Sequence, residues 1–130
     1  MSGREEFDSE APSNDWADLA AIASADTHQA REVLLAAFLA DRESVIQAVA
    51  RRCARRIAGV EWGRDGDDLL AVVRSVVIGM VDGMVDDAAL AAMAAAACDD
   101  QWPTILWARS YRVVKQWQED RVSRLIGAPQ

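Results

Sequence analysis

Histidine occurs once in the chain, cysteine twice, tyrosine once and proline three times. His28 falls in the first turn of an expected helix with no nucleophile near it in sequence, which argues against a catalytic base. Cys53 and Cys98 stand alone in alanine-rich stretches, and two isolated cysteines do not make a zinc site. No signal-peptide pattern opens the chain, so the expectation is free buried thiols in a reducing cytoplasm. Alternating apolar and polar residues are scarce, which disfavours β-sheet. The segment GVEWGRDG holds acidic residues but lacks the ligand spacing and distal glutamate of a calcium loop. No phosphate loop and no catalytic constellation is present. The chain is therefore expected to be non-enzymatic, with no metal and no cofactor.

A long uninterrupted apolar run is also missing. The most apolar stretch, Asp67 to Val85, is broken by Arg74, Ser75 and Asp82. That excludes a membrane span, which needs about 20 consecutive apolar residues. Leu69, Val73, Val76, Val77, Met80 and Met84 recur at spacings of three and four, so the stretch reads as a helix. It is expected to be central and buried on most of its circumference, with Asp67 and Asp68 capping its start. Ser75, Gly79 and Gly83 form a stripe of small residues along it. Two helix-interior glycines cost roughly 1 kcal/mol each relative to alanine. Close approach of a second helix would offset that cost, as would room for a ligand; a pocket beside Gly79 and Gly83 would favour the latter.

Acidic residues outnumber basic ones and give a net charge of −7. The distribution is blocked. Residues 1–26 carry one cation and seven carboxylates, and residues 60–101 carry two and nine. Residues 27–59 carry six cations against three carboxylates, and residues 102–130 five against two. Attraction between acidic and basic helices accounts for this layout. Arg51, Arg52, Arg55 and Arg56 form two columns four residues apart. They are a candidate anion or partner patch. Alternatively they complement a helix C-terminus and pair with the acidic residues 60–101. An acidic whole disfavours nonspecific nucleic-acid binding, although a local patch could still bind it.

In chain order, residues 1–14 read as a disordered acidic tail whose one large apolar side chain is Phe7. A helical domain is expected over 15–127. Asp15 to Ala25 makes a short helix with Trp16 on the core, capped by Asn14 or Asp15. Asp26 with Gln29 suggests a capping box for the next helix, whose apolar stripe is Ala30, Val33, Leu34, Ala37 and Phe38. Asp41 ends that helix, and Val45, Ile46, Val49, Cys53 and Ile57 continue the pattern. GVEWGRDG is a glycine-rich turn. Ala88 to Cys98 forms an alanine-rich helix behind Asp86 and Asp87. Pro103 opens the last helix, which runs to about Ile126.

That last helix holds a large share of the aromatics. Trp107, Tyr111, Val114 and Trp117 line one face. Arg109, Arg112 and Lys115 lie on others, and Asp120 is placed to pair with Arg124. Trp107, Tyr111 and Trp117 are a candidate interface for a homodimer or a protein partner.

GRDGDDLLAVVRSVVIGMVDGMVDDAAL, residues 63–90, resembles the C-terminal regulatory domain of TetR-type repressors, in which an acidic turn leads into a buried helix ending in glycine. No N-terminal helix-turn-helix accompanies it, so the resemblance implies a helical ligand-binding or dimerisation module and not a repressor. VARRCARRIAG, GDDLLAVV and ILWARSYRVVKQW also fall in the order of the helices of bacterial sigma factor region 2. That resemblance implies contacts of Trp107, Arg109, Tyr111, Arg112 and Lys115 with promoter DNA or RNA polymerase. The middle helix is more apolar than such a role asks.

Together these features predict an all-α single-domain bundle of five or six helices. The expected function is a small cytoplasmic regulatory or adaptor protein acting through protein or ligand binding in transcription regulation, with a sigma-like nucleic-acid or polymerase-binding module as the alternative.

Overall fold

The computed structural model describes residues 15–87 and 101–127. Five helices account for most of them: α1 (Asp15–Ala23), α2 (His28–Asp41), α3 (Glu43–Arg56), α4 (Trp62–Val85) and α5 (Trp102–Gly127). No strand occurs among the described residues. The chain is an all-α bundle, and none of its described helices is long and apolar enough to cross a membrane. The expected tail (1–14), the Asn14 cap and the Ala88–Cys98 helix lie outside the described residues.

Local chemistry sets the helix ends. Thr27, not Asp26, caps α2: its Oγ1 accepts the N–H of Ala30 at 3.0 Å. Thr27 keeps the extended backbone an N-cap needs, which leaves Asp26 one residue too early. Thr27→Ala is expected to lower stability by about 1 kcal/mol, and Thr27→Ser to leave it nearly unchanged, both read from urea melts. At the other end of α2, the Arg42 N–H donates to Phe38 O at 3.1 Å. The Arg42 guanidinium donates to Asp15 Oδ1 and Asp18 Oδ2, each at 2.7 Å, and lies 3.8 Å from the Phe38 ring centroid. One side chain thus fastens α1 to the corner between α2 and α3.

α4 begins at Trp62, five residues before the expected start. The turn is confined to the few residues after α3, where Gly59 adopts φ +86°. Gly63 and Gly66 are helical despite their low propensity. The Asp65 carboxylate reaches back to the Glu61 N–H at 3.0 Å, and the Trp62 ring occupies the space a Cβ on Gly66 would contact. Leu69, Val73, Val77, Met80 and Val81 form the buried face of α4, which packs against α1, α3 and α5. The helix is not buried all round: Ser75, Ile78, Gly79, Asp82 and Gly83 are exposed. Across the α3–α4 contact, Arg74 Nη2 donates to both Glu43 oxygens at 2.9 and 3.0 Å. Hydrogen bonds from Gln47 and from Arg74 hold the Glu43 carboxyl below its ordinary range.

The core gathers Leu19, Ile46, Leu69, Val77, Leu106 and Trp102, all essentially without solvent contact. Trp16 packs on its edge. Cys53 is buried, and burial pushes its thiol up to about 11, which makes it inert at neutral pH. α2 departs from its sequence pattern. Of Ala30, Val33, Leu34, Ala37 and Phe38, only Phe38 is buried, while Leu35 and Leu39 pack against the core instead.

Candidate interaction surface

α3 and α5 run side by side and parallel. Ala48 and Val49 lie level with Pro103 and Thr104, Arg52 with Trp107, and Gly59 with Gln118. The amphipathic pattern of α3 turns Ile46, Val49, Ala50 and Cys53 inward. Arg51, Arg52, Arg55 and Arg56 must then point out, and all four are exposed. The two columns straddle the helix. Arg51 leans towards α4, its Cζ 4.6 Å from the Trp62 ring, and Arg52 leans towards α5, its Cζ 4.3 Å from the Trp107 ring. Such contacts are worth about 0.5–1 kcal/mol at exposed sites and leave the charge free to meet an anion.

Trp107 and Tyr111 are half-buried, with ring centroids 5.3 Å apart. Trp117 is half-buried as well and carries Arg121 over its ring at 4.3 Å. All three aromatics pack on the core edge, so much of the area expected to serve as an interface is used within the chain. Arg109, Arg112 and Lys115 are exposed along the same helix. Among the described residues, none of these three cations nor the four arginines of α3 lies within ion-pair distance of a carboxylate; the arginine pairs that form belong to Arg42, Arg64, Arg74 and Arg121. The expected neutralisation of the α3 arginines by residues 60–101 is thus absent among the described residues. Asp120 accepts from Gln116 Nε2 at 2.9 Å rather than pairing with Arg124.

A cleft of about 120 Å³ opens between the two helices, walled by Ala48, Val49, Pro103, Thr104 and Trp107 and edged by Arg52. Its walls are largely apolar and its rim is cationic. It can hold one apolar side chain while Arg52 at its edge meets a carboxylate. Neither this cleft nor a second one between α1 and α2 includes Ser75, Gly79 or Gly83. These positions are exposed, and a Cβ on Gly79 or Gly83 would meet no described atom within 4 Å. Ser75 Oγ donates to Val72 O at 2.7 Å, an internal helix bond. No other helix among the described residues packs on Gly79 or Gly83. His28 sits at the start of α2 with Nε2 2.8 Å from Glu32, both exposed, and takes no part in the surface. No group of three or more metal-ligating side chains occurs among the described residues.

The strongest polar cluster was not anticipated. Asp65 is 2 % exposed and lies at the base of the α3–α5 face. Its Oδ1 accepts from Arg121 Nη1 at 3.0 Å and its Oδ2 from Arg64 Nη2 at 3.0 Å. Arg64 and Arg121 also donate to the Gly59 carbonyl at 2.6 and 3.2 Å, and Arg121 donates to Gln118 Oε1. The guanidinium groups of Arg64 and Arg121 hold the Asp65 carboxyl well below the usual carboxylate range. The cluster clamps the end of α5 to the start of α4 and so fixes the register of the α3–α5 face. Comparison with family models, curated proteins and solved structures returns no match.

Proposed function

We propose that this chain is a small non-enzymatic regulatory or adaptor protein whose α3–α5 face binds an acidic, hydrophobically anchored segment of a partner protein. The observation that carries the reading is the set of four exposed α3 arginines left without carboxylates among the described residues, with Arg52 edging an apolar cleft, while Arg109, Arg112 and Lys115 add unpaired positive charge on other faces of α5. A cation with no carboxylate partner among the described residues is available to an external one, and electrostatic attraction raises the rate of encounter. The cleft supplies what charge alone lacks, a place to bury an anchor side chain. The net charge of −7 opposes a nucleic acid, whose phosphates repel the acidic remainder of the molecule. The interleaving of Trp107 and Tyr111 with Arg109, Arg112 and Lys115 on α5 supports a second reading, a nucleic-acid or polymerase-binding module like sigma region 2.

The test uses three labelled probes of similar length: an Asp/Glu-rich peptide with one central leucine, a single-stranded DNA and a duplex. Fluorescence anisotropy should show the peptide binding, with affinity falling as salt rises. Replacing its leucine by alanine should weaken it. Arg52→Glu with Arg56→Glu should cost about 2–3 kcal/mol, a loss of roughly 30- to 150-fold, because each exchange replaces attraction by repulsion. The melting temperature of the double variant should stay near that of the parent, since both positions are exposed. Tighter binding of DNA than of peptide would favour the second reading. No binding of any probe at low salt would overturn both.

A further inference from the structure

Two apolar surfaces among the described residues have no neighbour. On α2, Val33 is 63 % and Leu34 45 % exposed. Leu34 borders a cleft of about 200 Å³ between α1 and α2, floored by Ile22, Ala37 and Phe38 and flanked by Asp41 and the Asp18–Arg42 pair. At the far end of α5, Leu125 is 80 % and Ile126 79 % exposed, with Val122 on the same side. The spacing of three and four makes these one knob on a helix. The two surfaces are opposite in charge. Residues 15–42 carry five carboxylates and two arginines, and at the cleft Arg42 pairs with Asp18 while Asp41 lies in no ion pair among the described residues; α5 carries five cations and two carboxylates, with Arg124 exposed beside Leu125.

They also lie at opposite ends of the molecule. The α1–α2 cleft includes Arg42, which caps the start of α3. The end of α5 is clamped through Arg121 to Gly59, beyond the end of α3. The 14 residues of α3 separate the two by about 21 Å. A chain cannot place its own α5 tip in its own cleft, but a second copy can. We infer that copies of this chain associate head to tail, the Leu125–Ile126 tip of one seated in the acidic-rimmed α1–α2 cleft of the next. The contact is heterologous, so one copy keeps a free tip and the other a free cleft, and growth continues unless a ring closes. The surfaces are small, which places the association among weak, concentration-dependent contacts. It does not involve the α3–α5 face and stands or falls independently of it.

Sedimentation equilibrium of the full chain decides the matter, over roughly 10 to 500 µM, where small interfaces become occupied. The average mass should rise with concentration and fall back when salt is added. Leu34→Glu, which spoils the cleft, and Ile126→Glu, which spoils the tip, should each sediment as a monomer. An equimolar mixture of the two should form a dimer and stop there, because each variant retains the surface the other lacks. Val33→Glu and Leu125→Glu serve as replacements if either first choice lowers the melting temperature. A monomer mass for the parent chain throughout would overturn the inference. So would single variants that fail to associate even when mixed, since that outcome marks a symmetric interface.

Discussion

Trp102→Ala is expected to lower stability by about 3–5 kcal/mol, the range for removing a large buried aromatic. The indole is almost wholly buried and meets the Phe38 ring edge to face, centroids 5.3 Å apart at 78°. Its Nε1 donates to Met80 Sδ at 3.4 Å. A single side chain thereby joins α2, α4 and α5. Edge-to-face pairs add about 0.5–1.5 kcal/mol beyond the area they bury, and the cavity left behind cannot collapse without moving three helices. Domains of this size hold roughly 5–15 kcal/mol in total, so the variant should unfold at markedly lower urea. Trp102→Phe keeps most of the apolar contact and gives up only the N–H and part of the volume. It should fall between the parent and the alanine variant. Urea melts followed by far-UV circular dichroism measure both, and a loss below about 1 kcal/mol for the alanine variant would show that Trp102 does not hold the core together.

The placement of Trp102 shows what the sequence makes legible. Its position just before Pro103, behind two aspartates, marks a helix start by local rules alone, and α5 does begin there. The core face of α4 was legible for the same reason: Leu69, Val73, Val77 and Met80 repeat at the helical period and are buried. Period alone cannot say which way a helix faces when several of its faces are apolar. α2 has Val33 and Leu34 on one side and Leu35 and Leu39 on another, and Phe38 can serve either. The Arg42 contacts to Asp15 and Asp18 help fix α2 against α1, and those partners lie 27 and 24 positions away. Glycines are ambiguous signals. Gly63 and Gly66 suggested a turn but are helical, while Gly79 and Gly83, which suggested close packing or room for a ligand, meet no neighbour among the described residues.

The candidate surface was half legible. Four arginines in six positions are visible in the sequence, as are the aromatics of α5. That Arg52 leans onto Trp107 and borders a cleft depends on α3 and α5 running parallel at one register, which no local pattern encodes. Asp65 was invisible for the same reason. In the sequence it is one carboxylate among several in a glycine-rich stretch, and its partner Arg121 lies 56 positions away. Only the packed bundle separates it from Asp67 and Asp68, which remain exposed.

Asp65→Ala is accordingly expected to destabilise the chain by about 2–3 kcal/mol. Removing one partner of a fully buried ion pair costs about 3–5 kcal/mol. The cost is lower here because Arg64 and Arg121 keep access to water and can resolvate. What is lost is the back-bond to the Glu61 N–H at the start of α4 and the anchor that holds α5. The two guanidinium groups, both still directed at the Gly59 carbonyl, would then repel each other. The effect should depend on pH with a definite sign. The folded-state pKa of Asp65 lies below its unfolded value of about 3.9. Its contribution is therefore complete above that value and is lost as pH falls towards the depressed folded-state pKa. The difference in unfolding free energy between parent and Asp65→Asn should be constant from pH 5 to 8 and shrink below about pH 4. Arg121→Gln should remove part of the same pH dependence, and the double variant with Asp65→Asn should cost less than the sum of the single losses, because both act on one cluster. Strict additivity, or a difference that persists undiminished at pH 2, would show that Asp65 does not act through its charge.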